Sequence, residues 1–231
     1  KEMRQNMRRV SFVIPFLGLH VLAVVAIGVE FQTGANHEYS EWVGMFNLWM
    51  LVNSGPIWIV AAAMCGVIMP LAGLILMGQE LDEGNHELLL MTRLSRWKIV
   101  YGKFISLWSL CLLGLISLVP YVMVRYQLGG VELLRDLACL MTVAGMSAIL
   151  CAGAIGASAF KHLVARGLVL IIFIGSAMLC GAIAIGGSAF LDSDSGILWH
   201  INALATVATF VLMGLSMARS RLRLVVLAYE M

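Results

Sequence analysis

Six stretches of this chain contain no Asp, Glu, Lys or Arg: residues 10–29, 42–79, 104–124, 137–160, 167–191 and 195–218. A charge near the centre of a bilayer costs roughly 2.5–3.5 kcal/mol even on the most lenient scale, so uncharged runs of this length are what a membrane selects. Five of the six are 20 to 25 residues long, and about 20 apolar residues cross the hydrocarbon core as an α-helix. Composition agrees. Of 231 residues, 61% are hydrophobic and 12% charged, with a mean hydropathy of +0.95, against roughly 45–50% apolar and 25% charged in soluble domains. A soluble globule is excluded. The expected fold is all-α, a single polytopic membrane domain over 1–231 with six transmembrane helices and short interfacial helices.

The second window, 38 residues long, would suffice for two crossings, but Asn53, Ser54, Gly55 and Pro56 form a turn-like cluster near its middle. One crossing is therefore expected at about 56–78. The preceding Trp42–Leu51 stretch, with Trp42, Phe46 and Trp49, reads as an amphipathic segment at the interface, where aromatic rings prefer to sit. The other crossings are expected at 10–29, 101–124, 137–160, 167–190 and 197–218. The first run ends in Val29, Glu30 and Phe31 rather than in small residues at a cleavage site, so it is expected to be retained as a span.

Orientation follows from Lys and Arg, which short cytoplasmic loops retain. Lys1, Arg4, Arg8, Arg9, Arg93, Arg96, Lys98, Lys103, Lys161, Arg166, Arg219, Arg221 and Arg223 fall at the two ends and in alternate connections. The remaining connections hold only Arg125 and Arg135, together with Glu30, Glu38, Glu41, Glu132, Asp136, Asp192 and Asp194. Thirteen basic residues against two place both termini in the cytoplasm and favour six spans, since splitting the second window would move Arg93–Lys103 to the wrong side. A net charge of +2 carries no strongly basic face for nucleic acid.

Within the spans, Pro15, Pro70 and Pro120 each remove a backbone donor and permit kinks. Ala148, Ala152 and Gly156, and likewise Ala177 and Gly181, stand at four-residue spacing, the pattern that lets helix backbones approach closely, either inside one subunit or at a dimer seam. His20 is the one ionisable side chain near the middle of a span. It is a candidate intramembrane polar site, set against the reading of a neutral imidazole satisfied by a neighbouring helix. Cys65, Cys111, Cys139, Cys151 and Cys180 lie in apolar runs without C-x-x-C spacing and read as small hydrophobes, with no metal site implied.

The most patterned polar stretch is 79–103. Acids come first (Glu80, Asp82, Glu83, Glu87), then Leu88, Leu89 and Leu90, then bases (Arg93, Arg96, Lys98, Lys103). This order suits the macrodipole of a short helix, and Thr92 or Ser95 is placed to cap a following helix that begins near Arg96. A leucine ridge between charged ends suits docking on another protein, or lying on lipid headgroups. The run Glu80-x-x-Glu83-Gly84-x-x-Glu87-Leu88-Leu89-Leu90-x-Thr92-x-Leu94-Ser95-Arg96-Trp97-x-Ile99-x-x-Gly102-Lys103 resembles the cytoplasmic signature of ABC type-2 transporter permeases, with Asn85 and His86 where that family usually has Gly-Thr.

The resemblance implies a six-span subunit of an ATP-driven exporter in the inner (plasma) membrane. Segment 79–98 would be its coupling helix, with Glu80, Glu83, Glu87, Leu88, Leu90, Thr92, Arg93, Ser95 and Arg96 contacting an ABC ATP-binding subunit. It further implies pairing with a second permease copy or a related permease. ATP and Mg would sit on the partner subunit, and no cofactor on this chain.

Motifs for independent chemistry are missing. A phosphate-cradling G-x-x-x-x-G-K-[ST] loop is approached only at Gly102-Lys103, where Trp97 stands for the first Gly and Phe104 for Ser or Thr. His86-Glu87 and His37-Glu38 fail as H-E-x-x-H at Leu90 and Glu41. Ser176 and Ser188, each preceded by Gly, are weak candidates for an intramembrane hydrolase. The rival readings are a haem-exporter-like permease of cytochrome assembly, an intramembrane hydrolase and a non-transporting membrane scaffold.

Overall fold

In lipid every backbone N–H and C=O must be satisfied internally, and the α-helix does this within one segment. The uncharged runs accordingly form helices. The structure, a computed structural model, describes residues 10–33, 51–52, 54–74, 96–128, 133–160, 162–188 and 193–229. Its elements are α1 (Val10–Thr33), α2 (Pro56–Leu71), α3 (Arg96–Ser117), α4 (Val119–Leu128), α5 (Leu133–Ser158), α6 (Leu163–Ser188) and α7 (Ser193–Tyr229). No strand occurs among the described residues.

Four helical stretches are long and apolar enough to cross a membrane: Phe12–Gln32, Trp97–Gln127, Arg135–Ser158 and His200–Ser220. Pro56–Leu71 and Leu163–Met178 are shorter apolar helices. The described residues are thus all-helical, with the apolar helices of a membrane protein. The expected interfacial stretch Trp42–Leu51 lies outside the described residues except for Leu51, which is buried.

Proline shapes two of these helices. Pro120 has no N–H to offer Ile116, and the expected single helix over 101–124 is broken at Leu118 into α3 and α4. The chain bridges the break with tighter bonds, Leu118 N–H to Leu115 O at 3.1 Å and Tyr121 N–H to Leu118 O at 2.9 Å. In α2, residues Ala62–Ile68 wind as a π-helix, and Met69 N–H reaches back five residues to Met64 O just before Pro70. Pro15 lies inside α1 without interrupting it.

The centre of the bundle is α5. Of its span, 89% is buried, against 22% for the spans in α1 and α7. Its main neighbours are α7, α6, α3 and the π-helical part of α2. Small residues make this crowding possible. A Cβ added to Gly214 of α7 would sit 2.6 Å from the Ala152 carbonyl oxygen of α5, and one on Gly156 would sit 2.9 Å from Gly214 O. The two helices therefore meet backbone to backbone. On the α6 side, Gly153 makes room for Phe173, whose ring lies where a Cβ would need to be. Phe173 packs with Ile149, Leu150, Ala157, Val169 and Ala177 in a second apolar cluster.

Buried hydroxyls turn inward on their own helices: Thr142 donates to Ala138 O at 2.7 Å, Ser147 to Ala144 O at 2.8 Å and Ser158 to Ile155 O at 2.8 Å. Such back-bonding leaves the helix surface effectively apolar.

The α5–α7 contact is open to test. Gly214→Ala forces a methyl group into the Ala152 carbonyl, and overpacking of this kind is expected to cost about 1–3 kcal/mol. Gly175→Ala in α6 meets nothing within 4 Å and is expected to be neutral or to stabilise by up to about 1 kcal/mol through helix propensity. Melting of the two purified variants in one detergent compares them directly.

Candidate functional site

Four charged residues at the edges of the uncharged runs lie within helices rather than in connections. Glu30 belongs to α1, Arg125 to α4, and Arg135 and Asp136 to α5, and they are 8%, 5%, 4% and 8% exposed. Their assignment to connections is corrected on this point: two acids and two bases leave water together because they face one another at the same end of the bundle. Local helix electrostatics favour the arrangement. Arg125 sits in the last turn of α4, where the macrodipole is negative, and Asp136 in the first turn of α5, where it is positive.

Arg125 is the hub. A guanidinium is a rigid fork of five donors, and this one reaches three partners. Its Nε donates to Glu30 Oε2 at 2.7 Å, its Nη2 to Ser54 O at 2.6 Å, and its Nη1 makes a longer contact to Asp136 Oδ1 at 3.4 Å. Trp58 at the start of α2 donates its indole N–H to the same Asp136 Oδ1 at 2.7 Å. Arg135 Nε donates to Ser54 Oγ at 3.1 Å. Four helix ends and the turn before α2 are thereby joined in one hydrogen-bonded network.

The turn depends on Gly55. Its φ of 109° lies in the region that side-chain-bearing residues avoid. Space is equally restrictive, since a Cβ there would stand 2.1 Å from Glu30 Oε1 and 2.9 Å from Arg125 Nη2. Pro56 then starts α2 at a position where a missing N–H costs nothing. Ser54, Gly55 and Pro56 are therefore the backbone part of the ionic site.

His20 lies deeper in α1. Its Nδ1 is 3.2 Å from the Tyr121 hydroxyl of α4, and Phe16 packs edge-on at 4.7 Å between ring centroids. The imidazole is thus satisfied by a neighbouring helix, and it adds a second tie between α1 and α4. Ser176 Oγ donates to Phe173 O at 2.8 Å on its own helix.

Of the expected docking residues, Glu80, Glu83, Glu87, Leu88, Leu90, Thr92, Arg93 and Ser95 lie outside the described residues. Arg96 is the first residue of α3. Beside it, Trp97 carries the Arg219 guanidinium at 5.0 Å from its ring centroid, a cation–π contact between the start of α3 and α7 at the end opposite the ionic cluster. Of the small-residue positions, Ala148 and Ala152 are buried in α5, where Ala152 and Gly156 meet Gly214 of α7; Ala177 is buried in α6, and Gly181 is a helical position there. Among the described residues, no group of three or more His, Cys, Asp or Glu is placed to hold a metal ion.

Comparison with family models, with curated proteins and with solved structures finds no match for this chain. The geometry of the cluster nonetheless defines what it can do: it fastens helix ends through charges whose separation is opposed as long as they stay dry. Truncating Arg125→Met removes the cation that Glu30 and Asp136 share in the interior, and removal of one partner from a buried pair typically costs roughly 3–5 kcal/mol. Arg135→Met is expected to cost less, because Arg125 still faces both acids. Thermal unfolding in detergent measures both, and equal stability of Arg125→Met and the parent would contradict the hub assignment.

Proposed function

We propose that this chain is the membrane-spanning permease subunit of an ATP-driven ABC exporter, with six spans, both termini in the cytoplasm and residence in the inner (plasma) membrane. The observation that carries this reading is the signature at 80–103, from Glu80 through Glu87-Leu88-Leu89-Leu90 to Arg96-Trp97 and Gly102-Lys103. Three further features support it. The chain is helical and rich in membrane-length segments. Each of the six expected crossings contains a helical stretch, with α3 and α4 sharing the third. The distribution of Lys and Arg puts the signature on the cytoplasmic side.

On this reading the chain pairs with a second permease copy or a related permease and with two ATP-binding subunits, which hold ATP and Mg. Segment 79–98 is the mechanical contact. Closure of the ATPase dimer displaces it, and the proline-kinked spans shift between inward-open and outward-open arrangements. Nucleotide biases that equilibrium only through a difference in how the docked segment interacts with the partner in the two states.

The test is at the docking segment. Glu87→Lys reverses a charge and Leu88→Asp places a carboxylate in the leucine ridge. Both variants are expected to insert in the membrane at normal levels while co-purification of the ATP-binding subunit falls at least tenfold. Normal retention of that subunit together with normal export in both variants would overturn the assignment.

A further inference from the structure

The ionic cluster joins two pairs of elements. On one side are α1 and the start of α2, which pack against each other and contribute Glu30, Ser54, Gly55 and Trp58. On the other are the end of α4, which packs on α1 and α3, and the start of α5; they contribute Arg125, Arg135 and Asp136. The bonds of Arg125 to Glu30 and Ser54, of Trp58 to Asp136 and of Arg135 to Ser54 all cross from one side to the other.

A permanent join of helix ends is more simply made with apolar side chains, since a buried ion pair is often no more stabilising than hydrophobic residues of the same volume. The charged version differs in what happens when the surfaces part. Separated apolar surfaces meet water unfavourably, whereas separated charges regain their hydration. A buried ionic seam at a bundle end is therefore one that can open into water at little net cost.

The helices that carry the seam also have places to bend. Leu118 divides α3 from α4 seven residues before Arg125, and the π-helical turn begins at Ala62, four residues after Trp58. Breaks and π-turns of this kind are where helices re-aim. Beneath the seam, one turn along α5 from Asp136, lies Cys139, fully buried.

From these observations we propose that the Glu30–Arg125–Asp136 cluster is a reversible latch, which closes one end of the helix bundle where the ends of α1, α2, α4 and α5 meet and admits water when it opens. The inference concerns the motion of this chain alone and stands independently of any ATP-binding partner.

The native cysteines provide the readout. Cys139 lies at the latch, while Cys111 and Cys151, whose sulfurs are 3.7 Å apart, are fully buried between α3 and α5 away from it. The purified full chain in lipid nanodiscs is treated with a charged, membrane-impermeant methanethiosulfonate, and the modification of each cysteine is followed by peptide mass spectrometry. Latch opening predicts that Cys139 reacts at least tenfold faster than Cys111 and Cys151. It further predicts that Glu30→Gln accelerates Cys139 by another tenfold or more while leaving Cys111 and Cys151 unchanged. Asp136→Asn, which retains an acceptor for Trp58, serves as the second variant with the same expectation. A single common rate for the three cysteines in the native chain, reporting global unfolding only, would overturn the proposal. So would a Cys139 rate insensitive to both substitutions.

Discussion

The guanidinium of Arg125 is the interaction on which one whole end of this bundle depends. It is 5% exposed and donates to Glu30 and to the Ser54 carbonyl, with Asp136 beside it. A lone buried charge would be driven back to water by its desolvation penalty, so each member of the cluster holds its place only because the others are present. The consequence extends to the backbone. Glu30 Oε1 and Arg125 Nη2 occupy the space beside Gly55 that any side chain would fill, so the positive φ of the turn and the ionic contacts require one another. The entry angle of α2, set at Pro56, inherits that requirement.

Away from this end, cohesion comes from a different source. Lipid tails are as apolar as the interior, so helices in a membrane gain little by hiding hydrophobic surface and associate instead through close van der Waals packing. The Ala152–Gly156–Gly214 contact brings α5 and α7 to backbone distance, and Gly153 accepts the Phe173 ring. Both devices act on α5, which is why this helix is the most enclosed of the membrane-length helices. The seam of charges and the seam of small residues thus divide the work: one fixes an end, the other fixes the middle.

Much of this was legible in the sequence, because a bilayer imposes a coarse and unforgiving test on each segment. The uncharged runs locate the helices, Asn53-Ser54-Gly55-Pro56 locates the start of α2, and Pro120 marks the α3–α4 break. The four-residue spacing of Ala152 and Gly156 picks out a face that meets a neighbouring helix, although spacing alone left open whether that helix belonged to the same subunit. The ionic cluster was not found, for a definite reason. A count of uncharged windows treats Glu30, Arg125, Arg135 and Asp136 as boundaries, and a boundary charge is assumed to reach water. What the count discards is complementarity: acids and bases ending adjacent antiparallel spans at matched depth can satisfy each other instead. Trp58 as the indole donor to Asp136, 78 positions apart, has no sequence signal at all, since it depends on the packing of α2 against α5.

The two ends of the molecule are connected by the chain itself. Segment 79–98, the docking element of the proposed exporter, follows α2 and leads into α3, and these are the helices whose far ends carry Trp58 and, through α4, Arg125. In the proposed exporter, a displacement of the segment would reach the same cluster along two covalent routes. Each route contains an irregularity, the π-helical turn Ala62–Ile68 in one and the Leu118 break in the other. At the near end, the Arg219–Trp97 contact ties the start of α3 to α7 and so supplies a fixed point against which α3 can tilt. On the proposed latch, helices held at one end and joined by an ionic seam at the other would convert a small movement into a choice between a dry, paired state and a hydrated, parted one. A close-packed interior is bistable rather than continuously deformable, and buried charges make the two states distinct because half-separated, half-dry pairs are the least favourable arrangement of all.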